Sequence, residues 1–179
     1  RQMCIRDRYS PSPQERQSWL QISYMKEAYH TMGPKFTLGW MAEALYSSKN
    51  FSENYTATMM QAGEFAPTPH SKLMYNEAFR ANQYVAAGIK PIYVLNDMFQ
   101  FRTEFYGFTP IFPIKKNALN KAYYGKAFSR FEYMGEVSVI CHLPFGAISA
   151  YVNHYSSPRR EWNVGMTIGW QLFNYRFVE

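Results

Sequence analysis

FEYMGEVSVICHLPFGAISAYVN, residues Phe131 to Asn153, decides how the chain is read. From Phe131 to Leu143 the odd positions are Phe131, Tyr133, Gly135, Val137, Val139, Cys141 and Leu143. The even ones are Glu132, Met134, Glu136, Ser138, Ile140 and His142. This is period two, which sends alternate side chains to opposite faces of a β-strand. Leu143-Pro144-Phe145-Gly146 is a turn signal. Beyond it Ile148, Ala150 and Val152 alternate with Ser149, Tyr151 and Asn153. After a polar loop at Ser156 to Glu161, Trp162, Val164, Met166, Ile168, Trp170 and Leu172 alternate with Asn163, Gly165, Thr167, Gly169 and Gln171. One face is apolar and edged with aromatics. The other is polar and bears glycines.

The same pattern extends upstream. Phe36, Leu38, Trp40, Ala42, Ala44 and Tyr46 oppose Thr37, Gly39, Met41 and Glu43. Trp19 to His30 has good helix formers, yet Leu20, Ile22, Tyr24 and Ala28 share a strand face. A strand is favoured, because Gly33-Pro34 and a clear strand follow directly. Ser47 to Asn54 reads as a polar connection, and Tyr55, Ala57 and Met59 as a further strand. Phe65 to Ser71 is a Pro-rich loop. Asn76 to Ile92 reads as one long strand, with Phe79, Ala81, Val85, Ala87 and Ile89 on one face. Asn96-Asp97 is a tight turn; Phe99, Phe101, Thr103 and Phe105 then oppose Gln100, Arg102, Glu104 and Tyr106. Thr109 to Lys126 is a loop containing four lysines. The total is about eight long strands, and no internal repeat is visible.

At 179 residues the chain is long enough for one domain, and 15 Tyr and 14 Phe make it rich in aromatics. No run of 18 apolar residues exists, so no transmembrane helix is expected. Barrel strands give a much weaker hydropathy signal and stay open as a reading. The first eight residues, RQMCIRDR, look like a translated sequencing adapter and are set aside as non-native. They hold three arginines and one aspartate, so without them the formal charge falls from +6 to +4. They also hold Cys4, which leaves Cys141 alone on an apolar strand face, read as a small hydrophobe. Neither a disulfide framework nor a thiolate metal site follows. An adapter-like start implies that the natural protein begins upstream.

Alternation is common to membrane barrels and soluble β-proteins, so other features must separate them. Several segments reach the roughly 9–11 residues that cross a bilayer, against about 5–6 for globular strands. Arg102, Glu104, Arg130, Glu132 and Glu136 all fall on the face away from the Phe/Val stripe. A lipid-facing Arg or Lys costs about 2–4 kcal/mol at mid-bilayer, so a membrane demands this segregation. Long and short connections alternate after Ala62, as in outer-membrane barrels. Upstream the alternation fails: Gly33-Pro34 is too short for its side and 47–54 too long.

KFTLGWMAEALYSSKN, FRANQYVAAGIKPIYVLND and GEVSVICHLPFGAISAYVNHYSS with WNVGMTIGWQLFNYRFVE resemble the C-terminal region of bacterial patatin-like phospholipases. These proteins of Gram-negative bacteria carry an outer-membrane barrel of the surface-antigen superfamily. The resemblance implies an N-terminal patatin domain, a periplasmic connecting domain and a barrel of about sixteen strands. Residues 9–179 would then be an all-β antiparallel meander forming the C-terminal half of a transmembrane β-barrel. It also implies Ser–Asp chemistry, with Ser in Gly-x-Ser-x-Gly and Asp in Asp-Gly. Neither motif occurs; the only aspartates are Asp7 and Asp97. No catalytic, cofactor-binding or metal-binding residue is therefore assigned. Nor is there the Val-Arg-Gly-Phe/Tyr loop motif of the wider barrel superfamily. The implied role is an outer-membrane anchor for a lipid acyl hydrolase. Its partners would be outer-membrane lipids, the barrel-assembly machinery and the missing patatin domain. A non-enzymatic barrel for transport or protein insertion, or a soluble β-domain with a carbohydrate or protein ligand, stays open.

His30, His70, His142 and His154 lack metal-ligand spacing, although His142 and His154 could approach across one hairpin. The Lys115, Lys116, Lys121 and Lys126 loop, with Tyr123 and Tyr124, reads as solvated or as a contact for lipopolysaccharide phosphates. Nucleic acid is not expected from so short a basic stretch. Trp40, Tyr46, Trp162, Trp170 and Phe173 are candidate interface-girdle residues. Phe173, Tyr175 and Phe177 form a candidate insertion signal at the last strand.

Overall fold

The computed structural model describes residues 18–52, 54–156 and 162–170. The adapter-like start, the 10–14 linker and the aromatic C-terminal signal lie outside them. Two long strands come first, β1 (Gln21–Thr31) and β2 (Phe36–Ser47). An insert follows: helix α1 (Tyr55–Gln61), strand β3 (Gly63–Glu64), helix α2 (Pro69–Leu73), a 3-10 turn (Glu77–Phe79) and strand β4 (Arg80–Ala81). Next are β5 (Gln83–Val94), β6 (Phe99–Pro110) and a small hairpin of β7 (Ile114–Lys116) and β8 (Ala122–Tyr124). The chain continues through β9 (Glu132–Leu143), β10 (Gly146–Tyr155) and β11 (Trp162–Trp170).

The long strands form one antiparallel sheet in the order β1-β2-β5-β6-β9-β10-β11. Each long strand pairs with the next long strand in the chain, so the expected meander is present, with seven long strands in place of eight. The ambiguous stretch at 19–30 is a strand. Among the described residues β1 and β11 are free edges and the sheet does not close.

Three parts of the sequence reading need correction. Tyr55, Ala57 and Met59 belong to a helix. The Asn54 side chain accepts from the Ala57 N–H at 2.8 Å, which caps its first turn. Thr58 and Met59, adjacent in sequence, are both buried, which one face of a strand cannot do. Second, the Pro-rich stretch contains α2. Thr68 and Ser71 exchange a capping box, and Pro69 enters at the first turn, where no N–H is needed. Third, 76–92 is not one strand. The 3-10 turn and β4 break it, and Phe79 and Ala81 leave the Val85 face for the core. The 109–126 loop also carries the β7–β8 hairpin.

With α1 restored, the connections fall into order. Residues 32–35, 95–98 and 144–145 link strands at one rim; 48–82 and 111–131 link strands at the other, where β10 also ends and β11 begins. All short turns share a rim. Gly33 has φ +114, a left-handed conformation that glycine adopts without Cβ strain. Asn96 Oδ1 accepts from Met98 N and Phe99 N at 3.1 and 2.8 Å, closing the second turn. The irregular upstream alternation came from reading one helix as a strand.

Candidate membrane-facing surface and the buried polar face

Strand register assigns every long-strand residue to one of two faces. On the apolar face Trp40, Ile89, Phe105, Gly135, His154 and Trp162 form one cross-strand row. Four residues further along, Val139, Ala150 and Met166 align with Phe101. From β2 to β11 the described positions on this face hold no Asp, Glu, Lys or Arg. They are also uncovered: Phe105 is 52% exposed, Val139 46% and Val164 79%. A contiguous apolar surface six strands wide far exceeds what a water-facing monomer exposes. Only β1 departs from this rule, where the register places Lys26 and His30 on the same side. The Lys26 ammonium lies 5.7 Å from the centroid of the Trp40 ring.

The opposite face carries the ionic groups. Lys90 pairs with Glu27 and stands 5.8 Å from the Tyr106 ring centroid. The Tyr84 hydroxyl donates to Glu43 Oε1 at 2.6 Å, and the Tyr106 hydroxyl donates to Glu104. Arg102 Nε lies 2.9 Å from Glu104 Oε1, an ion pair by distance whose N–H is not aligned as a hydrogen bond. Glu104 and Glu136 are register partners, and Asn153 partners Glu136; all three are buried. Arg130 Nε meets Glu132 Oε1 at 2.6 Å, and Ser156 donates to the same carboxylate. Opposite charges and small polar groups are thus gathered on this one face of the sheet.

The insert lies over this polar face. Phe65 stacks on Phe108 at 5.8 Å and meets the Tyr84 and Tyr106 rings edge-on near 6 Å. Phe79 touches Phe108 and Tyr155. Phe65, Phe79 and Phe108 are at most 1% exposed, so the main core sits between insert and sheet. Arg80 braces the insert: it pairs with Glu64, its Nη1 donates to Met60 O at 3.2 Å, and it lies over the Tyr75 ring. The Tyr55 hydroxyl donates to Glu77. Burial, and then this bond to the Glu77 carboxylate, hold the Tyr55 phenol above its ordinary pKa of 10.0. Burial and the Glu77 charge also raise Tyr75. Tyr55 N donates to Asn120 O at 2.8 Å, and Met59 packs with Ile114, so the two longest connections are joined.

The expected candidates scatter across this frame. His142 and His154 do not meet: their register partners are Ala147 and Gly135, and the side chains take opposite faces. His142 Nε2 lies 3.2 Å from Gln100 Oε1, His70 Nδ1 lies 2.9 Å from the Tyr155 hydroxyl, and His30 is exposed on β1. No group of three His, Cys, Asp or Glu could hold a metal ion among the described residues. Lys115, Lys116, Lys121 and Lys126 are exposed at the long-connection rim. Trp40, Tyr46 and Trp162 lie on the apolar face, as a girdle requires; the Trp170 side chain and Phe173 lie outside the description. Cys141 is on the same face and half-buried. Sequence reading missed the insert's role in covering the polar face. Its signals in the sequence were Asn54 and Thr68, which cap the two helices. No helix among the described residues is long and apolar enough to cross a membrane. No family model, curated protein or solved structure matches the chain.

Proposed function

We propose that the seven-stranded sheet is part of the wall of an outer-membrane β-barrel and anchors an appended patatin-like lipid acyl hydrolase at that membrane. One observation carries the membrane half: the apolar face is uncharged across six adjacent strands and nothing among the described residues covers it. Strands of 9 to 12 residues match a bilayer's span. Gathering all short turns on one rim matches the periplasmic side of such barrels. The free edges of β1 and β11 must be paired within lipid, because no water is there to satisfy them. Further strands, with the barrel-assembly machinery to insert them, complete this reading in the outer membrane of a Gram-negative bacterium. The hydrolase half rests on the resemblance of the three quoted runs.

Two experiments test the halves separately. Tryptophan fluorescence of the complete natural protein, carrying the strands that pair β1 and β11 and keeping Trp40 and Trp162 as its only tryptophans, should be quenched in vesicles with brominated acyl chains; unquenched emission at both would remove the membrane assignment. Sequencing the gene upstream of Tyr9 should reveal Gly-x-Ser-x-Gly and Asp-Gly. Their absence would leave a barrel for transport or protein insertion with no enzyme attached.

A further inference from the structure

Two troughs cross the apolar face near the long-connection rim. The larger, about 410 Å³, has Gly135 and Val152 in its floor and the rings of Phe105, Tyr133, His154 and Trp162 around it. The smaller, about 340 Å³, lies on the far side of Phe105 and Tyr133, above Ala87 and Gly107. The larger is within the ~300–1,000 Å³ range of ligand pockets.

Glycine opens the larger trough, and the fold does not require that glycine. A β-carbon at Gly135 would stand 3.3 Å from Phe105 Cδ1 and 3.7 Å from Glu104 O, so a small ring shift would admit a side chain. Gly88 is different: there a β-carbon would fall 2.1 Å from Tyr106 Cδ1. The missing side chain at Gly88 is filled by the protein's own ring, whereas at Gly135 the Phe105 ring borders the space without filling it. A strand-interior glycine weakens its strand, and an unfilled one marks a place where something else approaches the backbone closely.

The trough ends in a collar of rings. The His154 ring lies 5.7 Å from that of Tyr133 and 4.8 Å from that of Trp162. Each ring has an apolar body and a polar tip, the combination suited to the level of lipid head groups. The collar stands at the start of β9 and β11 and the end of β10, hence at the rim. Below it Val137, Val152 and Val164 are apolar. A polypeptide occupant would find no free backbone partners on the face of a hydrogen-bonded sheet. An acyl chain needs none.

We infer that the larger trough holds one ester-linked acyl chain of a membrane lipid, with the ester oxygens at the His154–Tyr133–Trp162 collar. This rests on the membrane reading above, and the test separates the two. Two forms of the complete natural protein, carrying the strands that pair β1 and β11, each retain one tryptophan, Trp40 or Trp162, with the others changed to Phe. They are folded into phosphatidylcholine vesicles brominated on the acyl chains, then moved into bromine-free detergent micelles. Both tryptophans are quenched in vesicles. In micelles Trp40 recovers fully, while Trp162 stays partly quenched by one retained lipid. Gly135→Leu, and independently Val152→Phe from the adjacent strand, abolish that residual quenching. Full recovery of Trp162 in micelles, or residual quenching that survives both variants, overturns the inference while the membrane reading stands. Absence of quenching at both sites in vesicles overturns the membrane reading itself.

Discussion

The two faces of the sheet solve opposite problems with the same strands. On one, Glu27, Glu43, Lys90, Arg102, Glu104 and Glu136 are gathered, and the insert covers part of that face, with Phe65 and Phe79 packed on Tyr84, Phe108 and Tyr155. On the other, Phe, Val, Ile and Trp stand uncovered from β2 to β11. A soluble domain buries its greasy side and hydrates its charges. Here Glu104 and Glu136 are buried while the greasy side is open, and the membrane proposal rests on that inversion. The chain's mean hydropathy is −0.39, an ordinary polar value, because period-two alternation averages the faces away.

The comparison can be broken most forcefully at the covered face. Phe108 is fully buried among Phe65, Phe79 and Tyr84. Phe108→Ala should lower unfolding stability by about 3–5 kcal/mol in denaturant titrations. A loss below about 1 kcal/mol would mean that the insert is not seated on the sheet. On the open face, Val139→Arg should cost about 2–4 kcal/mol in a bilayer. In water the same exposed change would fall within about 0.5 kcal/mol, so a near-neutral result measured in vesicles would refute lipid contact.

Smaller effects sharpen the picture of the insert. Thr68→Ala removes the α2 cap and should cost about 1 kcal/mol, with Thr68→Ser close to the parent. Proteolysis of the 48–82 segment is the suitable readout, since the sheet itself should be untouched. The smallest effect is alkaline. Tyr55 has a folded pKa above 10.0, so above about pH 10 the unfolded chain releases a proton that the folded one retains. Stability contributed by Tyr55 is therefore complete below that pH and declines as pH rises. Tyr55→Phe should flatten this part of the alkaline profile; an unchanged profile would mean that the phenol is not buried against Glu77.

The long strands were legible because each has a clean period of two, from Phe36 to Tyr46 and from Phe131 to Leu143. The insert was not. Tyr55, Ala57 and Met59 alternate by accident in a seven-residue helix, too short for a 3.6-residue period to declare itself. The decisive signals were Asn54 and Thr68, whose side chains bond to backbone N–H groups at helix starts. That single misreading inverted the assignment of rims upstream, which is why Gly33-Pro34 looked misplaced. The apolar face was legible, but the trough was not: Gly135 and Gly88 look alike in sequence, each has an aromatic register partner, and only the placement of the partner's ring distinguishes a bordered site from one filled by Tyr106. The histidines were likewise beyond reach, since His142 and His154 occupy opposite faces by parity across one turn.

The insert departs and returns through a single point. Ser47 N donates to Asn82 O at 2.8 Å, and the Asn82 amide donates to Lys49 O and to the Tyr124 hydroxyl. β2 and β5 remain register neighbours up to Tyr46 and Gln83, with or without what hangs between them. The segment is thus a cassette clipped onto a continuous sheet. Lineages could lengthen it, trim it or exchange it wholesale without re-registering a strand, so diversification of this architecture should concentrate there.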